Sequence, residues 1–242
     1  MRYLYLLLNI LFSLGAMAQT NQYRKLEQVR QELQKTWPDN KTINLVFHGH
    51  SVPSGYFNTP NVRTLQAYPQ QVLQAVKEIY PYAVVNSITT GIGGENSEQG
   101  IKRFKKEVLS HHPDVLFIDY ALNDRNIGLE RSRKAWIKMI KKAQKQNIKV
   151  ILLTSTPDLT EDILNDNSPL NQYNQQIREL AYKYKTGFVD CYASFKEKRK
   201  NGEDLKTYMS QSNHPNANGH HIVAELILNY FFDEKQWNEY RK

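Results

Sequence analysis

The stretch INLVFHGHSVPSGY, residues 43–56, changes character halfway along its length. Residues 43–47 are rich in branched apolar side chains, which favour a strand. The glycines and the proline that follow interrupt regular structure and predict a turn. Further short apolar runs occur along the chain, at residues 83–88, 115–120, 150–153 and 187–190. Runs that are this short and apolar throughout are typical of strands buried on both faces.

Helical periodicity fills the segments between these runs. A polar lead-in helix is expected near residues 21–35. Apolar residues then recur at helical spacing within residues 72–79, 101–108, 129–146, 177–181 and 222–230. Buried strands that alternate with helices indicate a parallel sheet covered by helices on both sides. We therefore predict an α/β fold, a three-layer α/β/α sandwich built on a five-stranded parallel sheet.

Length and composition favour one folded domain. The chain has 242 residues, of which 40% are hydrophobic, enough to form a core and too many for a disordered protein. Its single cysteine, Cys191, excludes an internal disulfide and a cysteine-rich zinc site. We expect Cys191 to be a small buried residue and not a nucleophile.

The first residues have the pattern of a secretory signal. A short cationic start leads into an apolar run over residues 4–14, and AMA at 16–18 forms a small-x-small cleavage site. The run is too short to span a membrane, and no cysteine follows it to carry a lipid anchor. We predict a signal peptide at residues 1–18, cleavage near Ala18, and a single domain over residues 19–242 that is exported to the periplasm or secreted.

The chain is basic, with a formal net charge of +8. Much of the excess lies between residues 131 and 145, where lysines and arginines interleave with apolar residues at helical spacing. This pattern predicts an amphipathic helix with a solvated basic face. We therefore expect no nucleic-acid partner, and such a charge favours acidic polysaccharide or membrane surfaces as neighbours.

Four polar segments follow the predicted strands or precede the last helix. Ser51 lies in the turn after the first strand, and the glycine-rich stretch TTGIGGENS, residues 89–97, follows the second. Asn123 follows the third strand, and His214 precedes a proline near the last helix. Ligands of open α/β sheets bind beyond the carboxyl ends of the strands, so these positions suit a site.

Each segment also has a purely structural explanation. Ser51 could cap a helix and Asn123 could satisfy a turn. The glycine-rich stretch could bind phosphate, although it lacks the Gly-Lys-Ser/Thr of a P-loop. An asparagine amide or a turn N–H can equally hold an oxyanion, and a histidine fixed by a proline turn can act as a base. His220 and His221, which open the last helix, are expected to be surface or capping residues.

Together and in this order, the four segments resemble the four blocks of the SGNH (GDSL-like) hydrolase superfamily. The resemblance spans nearly the whole chain after the predicted signal peptide. It implies that Ser51 is the nucleophile and lends its N–H to an oxyanion hole, and that His214 is the base. Gly94 and Asn123 would be the other oxyanion donors. With a flavodoxin-like strand order, 2-1-3-4-5, Ser51 and Asn123 flank the crevice where the order reverses.

The sequence departs from the family pattern at two positions. His50 replaces the aspartate of the family's Gly-Asp-Ser motif, and Gln211 replaces the acid three residues before His214. We therefore expect a Ser51–His214 dyad oriented by Gln211 or by a backbone carbonyl, because a neutral oxygen can still accept from imidazole Nδ1–H. The alternative is a triad completed by another carboxylate, Glu95 or Asp124.

The resemblance implies hydrolysis of an ester without a cofactor. No metal is expected, since His48 and His50 lack a carboxylate or cysteine at ligand spacing. Export and polar loops favour acetyl groups on a glycan as substrate, with candidate substrate contacts at Tyr56, Glu95 and Arg125. Two alternatives stay open: a lipid esterase, lysophospholipase or thioesterase of the same fold, and a degenerate hydrolase that binds glycan without catalysis.

Overall fold

The computed structural model describes residues 25–242, so the predicted signal peptide and the first residues of the predicted lead-in helix lie outside the described part. The strands of the central sheet are β1 (Thr42–Gly49), β2 (Val84–Thr89), β3 (Val115–Asp119), β4 (Lys149–Leu153) and β5 (Gly187–Val189). A small antiparallel ribbon is formed by β6 (Met209–Gln211) and β7 (His214–Pro215). The α-helices are α1 (Glu27–Leu33), α2 (Ser51–Ser54), α3 (Tyr68–Ile79), α4 (Ser97–Glu107), α5 (Ala121–Asp124), α6 (Leu129–Gln144), α7 (Pro169–Tyr184), α8 (Cys191–Lys200), α9 (Ala217–Leu228) and α10 (Glu234–Tyr240).

The five strands of the central sheet are parallel and lie in the order β2-β1-β3-β4-β5. This confirms the predicted α/β fold and the predicted strand order. The chain passes from β1 to β2 on one side and then to β3 on the other, so the order reverses between β1 and β3. Their carboxyl ends are in register, with Gly49 opposite Asp119. The residues that follow β1 and β3 therefore meet at the switch point of the sheet.

Alternate residues of the strands face two separate cores. On one side Phe47 and Phe117 pack towards α3, α8 and α9, and on the other Val46 and Leu116 pack towards α4, α6 and α7. Cys191 is buried in the first core, as predicted, and burial raises the pKa of its thiol. A sheet covered on both faces leaves its strand ends as the edge where polar chemistry can be placed.

Helix α6 contains most of the basic stretch. Its apolar side, including Trp136 and Met139, is fully buried. Arg131, Arg133 and Lys134 on its outer side each contact a glutamate. The predicted solvated basic face is therefore present, with part of its charge already paired.

His220 corrects one expectation. The sequence predicts a surface or capping residue of the last helix, but His220 is fully buried in the first turn of α9 and bonds a different helix. Its Nδ1 accepts from the N–H of Tyr68, and its ring stacks on Phe57 with ring centroids 5.3 Å apart. The prediction was wrong because the loop that contains Phe57 folds over the start of α9.

Within residues 25–242, no helix is both long enough and apolar enough to cross a membrane.

Candidate active site

Ser51 begins the short helix α2 directly beyond the end of β1. His50 caps this helix, since its Nδ1 accepts from the N–H of Val52 at 3.2 Å. Gly49 lets the end of β1 pass close to β3, because a Cβ at this position would lie 2.5 Å from the carbonyl oxygen of Asp119. The helix ends at Gly55, whose φ of 84° is left-handed. The glycines on both sides of α2 thus fix Ser51 at the switch point of the sheet.

His214 lies in β7, and its imidazole ring makes two hydrogen bonds. Its Nε2 is 2.8 Å from the hydroxyl oxygen of Ser51, and its Nδ1 is 2.8 Å from the carbonyl oxygen of Phe57. A carbonyl can only accept, so the proton resides on Nδ1 and Nε2 is left to accept from the serine hydroxyl. This is the geometry that a general base requires to activate a serine.

The electrostatic surroundings keep His214 neutral. Burial lowers the pKa of His214 below its ordinary value of 6.5. The hydrogen bond to the Phe57 carbonyl opposes that change, and the nearby ring of His50 adds to it. A neutral imidazole at neutral pH is the form that can take a proton from Ser51.

Gln211 does not contact the His214 ring. Its Oε1 accepts from the N–H of Thr59 at 3.0 Å, and its Nε2 donates to Asn213 at 3.0 Å. The residue therefore joins the β6–β7 turn to the loop after α2. The sequence predicts that His214 Nδ1–H is held either by Gln211 or by a backbone carbonyl. In the structure the acceptor is the backbone carbonyl of Phe57.

The two carboxylates considered as substitutes are also engaged elsewhere. Arg103 binds Glu95 through both carboxylate oxygens. Asp124 is fully buried and accepts from three donors of the core: the N–H of Ser97, the hydroxyl of Ser132 and the indole of Trp136. Neither completes a triad with His214 in the structure.

The predicted oxyanion donors lie on the two loops beside α2. Gly94 has a left-handed φ of 75° and an open space where a side chain would be. One N–H of the Asn123 amide is donated to the carbonyl oxygen of Glu95 at 3.0 Å, and the amide's second hydrogen has no acceptor within residues 25–242. The backbone N–H of Gly94 likewise has no acceptor among the described residues. Both loops therefore present unused donors, which is what an oxyanion hole needs before its substrate arrives.

The three predicted substrate contacts differ in their surroundings. Tyr56 is half-buried, and its ring centroid is 6.1 Å from that of His214. Arg125 forms ion pairs with Asp158 and Glu161. Glu95 is 6% exposed and bound to Arg103, as described above. Of the three, Tyr56 alone lies against the Ser51–His214 pair without an ionic partner.

Histidine, cysteine, aspartate and glutamate side chains form no cluster of three that could hold a metal ion in the part of the chain that is described. His48 and His50 have different partners: His48 contacts Thr90 and Tyr120, whereas His50 caps α2.

Sequence reasoning missed several polar groups around this site. The carbonyl that orients His214 belongs to Phe57, whose side chain gives no sign of this role. Arg103 and Tyr120, which bind Glu95 below the glycine-rich loop, also had no signal of their own.

Comparison with known proteins identifies related chains. Residues 47–222 match the model of the GDSL-like lipase/acylhydrolase family. An acetylxylan esterase of Geobacillus stearothermophilus is 26% identical over 178 residues, which cover 67% of this chain and 78% of the esterase. An uncharacterized lipoprotein of Bacillus subtilis is 32% identical over 78 residues, so the match spans about a third (32%) of that protein.

Solved structures have the same fold. The crystal structure of an acetylxylan esterase from Geobacillus stearothermophilus superposes with a TM-score of 0.69 at 21% identity, over 79% of this chain and 95% of that chain. Variants of that esterase described as catalytic mutants alter a serine, an aspartate and a histidine, with the aspartate three positions before the histidine. A two-domain esterase active on acetylated mannans superposes with a TM-score of 0.70 at 22% identity, over 88% of this chain and 54% of that chain.

The family model covers well over half of the chain and includes the segments of Ser51, Gly94, Asn123 and His214. The predicted family and its enzyme class are thereby confirmed. The chain belongs to the GDSL-like lipase/acylhydrolase family of ester hydrolases.

Proposed function

We propose that this protein is a serine-dependent esterase that removes acetyl groups from a glycan. The observation that carries the proposal is the 2.8 Å contact between His214 Nε2 and the Ser51 hydroxyl at the switch point of the sheet. The acetylxylan esterase and the esterase active on acetylated mannans support the choice of substrate class.

In the first half of the reaction, the Ser51 oxygen attacks the carbonyl carbon of the acetyl ester while His214 Nε2 takes the hydroxyl proton. The negative oxygen of the tetrahedral intermediate accepts from the Ser51 N–H, the Gly94 N–H and the Asn123 amide. His214 then gives its proton to the departing sugar oxygen. An acetyl group remains on Ser51.

In the second half, water attacks the acetyl-serine and His214 takes its proton. The same donors hold the second tetrahedral intermediate, and acetate leaves as the serine recovers its proton. The Phe57 carbonyl keeps the Nδ1 proton in place throughout. Because it is a dipole and not a charge, it stabilises the imidazolium less than the carboxylate of a Ser-His-Asp triad does.

The surroundings of the pair favour a small acyl group on a polar alcohol. The loop that follows Tyr56 is exposed and contains Asn58, Thr59 and Asn61. Such side chains can hydrogen-bond sugar hydroxyls, whereas a long acyl chain needs an apolar channel.

We also infer that the protein acts outside the cytoplasm. The support is the signal-peptide pattern of residues 1–18. Acetylated polysaccharide is a substrate that an exported hydrolase would meet.

Acetate release from acetylated xylo-oligosaccharides and acetylated mannan tests the proposal. We expect the wild type to release acetate and Ser51→Ala to lower kcat by on the order of 10⁴-fold or more, since the nucleophile is lost. Ser54→Ala is the matched control, because Ser54 lies on the same helix but donates to the His50 carbonyl. It should keep near-normal activity.

A series of para-nitrophenyl esters from acetate to octanoate tests the acyl group. We expect rates to fall with chain length. A preference for octanoate would show a lipid esterase or thioesterase, and glycan binding without any Ser51-dependent hydrolysis would show a degenerate hydrolase. Either result overturns the proposal.

A further inference from the structure

A largely buried polar cluster lies beneath the glycine-rich loop, and the proposed reaction does not use it directly. It consists of Glu95, Arg103, Tyr120 and His48, which we call the Glu95 cluster. Arg103 Nε donates to Glu95 Oε1 at 2.7 Å, and the Tyr120 hydroxyl donates to Glu95 Oε2 at 2.6 Å. His48 Nε2 is 3.1 Å from the same hydroxyl, and His48 Nδ1 is 2.9 Å from the Thr90 hydroxyl.

The protons of this cluster can be assigned. The single proton of the Tyr120 hydroxyl goes to Glu95, so its oxygen accepts from His48 Nε2–H and His48 Nδ1 accepts from Thr90. Burial, together with Glu95, raises the pKa of Tyr120 and keeps the hydroxyl a donor. Burial would lower the pKa of Arg103, but the hydrogen bonds to Glu95 raise it, so the guanidinium stays charged.

Arg103 ties the two ends of the glycine-rich loop together. Besides binding the Glu95 carboxylate at the end of the loop, its Nη2 donates to the carbonyl oxygen of Thr90 at the start. Gly94 lies between these tethers with no side chain and with open space around it. The position of its N–H therefore depends on what holds its neighbours.

The same tether reaches the second oxyanion donor. The carbonyl oxygen of Glu95 accepts from the Asn123 amide at 3.0 Å and so fixes the direction of that side chain. Glu95 thus anchors the chain immediately after Gly94 and also orients the Asn123 side chain. The two donors come from different loops, and Glu95 is where those loops meet.

The cluster adds little net stability to the fold, so a role in positioning the loops accounts better for its presence. Charges that are buried lose their hydration, and an apolar pair of similar size is often as stable. The fold nevertheless makes room for the cluster: a Cβ at Gly100 would lie 2.3 Å from the Tyr120 hydroxyl. Directional hydrogen bonds hold a backbone position in a way that apolar contacts do not.

We propose that Arg103 is a positioning residue that acts through Glu95 to align the Gly94 N–H and the Asn123 amide for the oxyanion. This inference rests on the proposed function. Arg103 lies behind the loop and touches no reacting atom, so its effect is on the transition state and not on the substrate's ground state.

The kinetics of Arg103→Leu on para-nitrophenyl acetate test this role. We expect kcat to fall by about 10²-fold with KM changed by less than about threefold, as for loss of an oxyanion donor. Arg103→Lys keeps the positive charge but cannot bind both carboxylate oxygens of Glu95 as the guanidinium does. It should therefore recover only part of kcat. Arg131→Leu is the matched control, because this exposed arginine also binds a glutamate of α4, Glu98, and should keep near-normal kcat.

Combination with Asn123→Ala separates positioning from general destabilisation. If Arg103 acts through the same donors, the double variant loses at least about tenfold less than the product of the two single losses. If the loss of kcat in the double variant equals the product of the two single losses, the proposal is overturned. If Arg103→Leu does not fold, Arg103→Lys and Tyr120→Phe decide: lower kcat at constant KM supports the role, and unchanged kcat in both rejects it.

Failure of the proposed function gives a different result. In that case the wild type shows no Ser51-dependent hydrolysis. If wild-type activity depends on Ser51 but Arg103→Leu retains kcat, only the positioning role is wrong.

Discussion

At the scale of single residues, the site pairs a serine and a histidine with a backbone carbonyl in place of a carboxylate. The carbonyl of Phe57 selects the productive tautomer of His214 as an aspartate would, but it brings no negative charge. Without that charge, burial determines the basicity of His214, and its pKa lies below the ordinary value of 6.5. Gln211 holds the loop through Thr59 and has no part in this contact.

The pH dependence of kcat/KM should report this arrangement. The base must be neutral to act, so a lowered pKa of His214 places the acid limb of the profile below pH 6.5. Gln211→Ala should change kcat by no more than about threefold, because Phe57 still orients the ring. Gln211→Asp should move the limb to higher pH, since a nearby negative charge stabilises the imidazolium.

Ser212→Asp is the control for that profile, because it adds the same charge at the exposed neighbouring position. It should shift the limb less than Gln211→Asp. A loss of about 100-fold in Gln211→Ala would instead mean that Gln211 orients the histidine in solution.

At the scale of elements, the ends of β1 and β3 must approach closely for the site to form. Gly49 makes this approach possible, because its backbone lies against the Asp119 carbonyl and the Pro53 ring. The short helix α2 follows immediately, capped by His50. The close contact between these two strand ends therefore fixes the position of Ser51.

Gly49→Ala should damage both stability and activity. Its Cβ would lie 2.5 Å from a backbone oxygen, so the strand end must move. We expect a destabilisation of about 1–3 kcal/mol, as in overpacked cores, which lowers Tm by roughly 2–4 °C per kcal/mol. Thermal unfolding and the rate of ester hydrolysis measure the two effects.

Gly93→Ala provides the comparison for this prediction. Its Cβ would meet the ring of Tyr56 at 3.2 Å, a side chain that can shift by a few tenths of an ångström. Its Tm should fall less than that of Gly49→Ala. Equal stability of Gly49→Ala and the wild type would show that the strand ends can separate at no cost.

At the scale of the whole molecule, His48 and His220 are fully buried without charge on opposite sides of the switch point. His48 contacts Thr90 and Tyr120, and His220 contacts Tyr68 and Phe57. Burial lowers the pKa of each from 6.5 to about 3. Folding therefore opposes protonation of both groups.

Stability should fall as the pH drops below about 6.5. In the window between 6.5 and about 3, the unfolded chain binds protons at His48 and His220 that the folded protein does not bind. Between pH 7 and pH 5, each of these histidines therefore lowers the free energy of unfolding by about 2 kcal/mol. Urea unfolding at the two pH values measures the loss.

Variants separate these histidines from other titrating groups. His220→Gln should lower stability at pH 7 and reduce the difference between the two pH values. His111→Gln changes an exposed histidine and should leave that difference unchanged. An equal free energy of unfolding at pH 7 and pH 5 in the wild type would contradict the prediction.

The fold could be predicted from the sequence, and candidate site residues could be named, because their signals are local. Apolar runs of four to six residues, such as 43–47 and 115–120, and helical periodicity between them indicate the sheet and its layers. The glycine, serine, asparagine and histidine positions follow strands or turns that can be recognised one at a time. Burial of His220 was mispredicted because it depends on a loop from far along the chain.

The orientation of the site was decided by tertiary structure. His214 and the Phe57 carbonyl are 157 residues apart in sequence, and Tyr120 and His48 are 72 apart. A backbone carbonyl has no residue type to mark it, and a largely buried ion pair such as Arg103–Glu95 looks in sequence like any surface pair. Residue types and spacing therefore determined the fold class and the candidate chemistry. Contacts between distant segments, which exist only in the folded protein, decided which groups hold His214 and the proposed oxyanion donors in place.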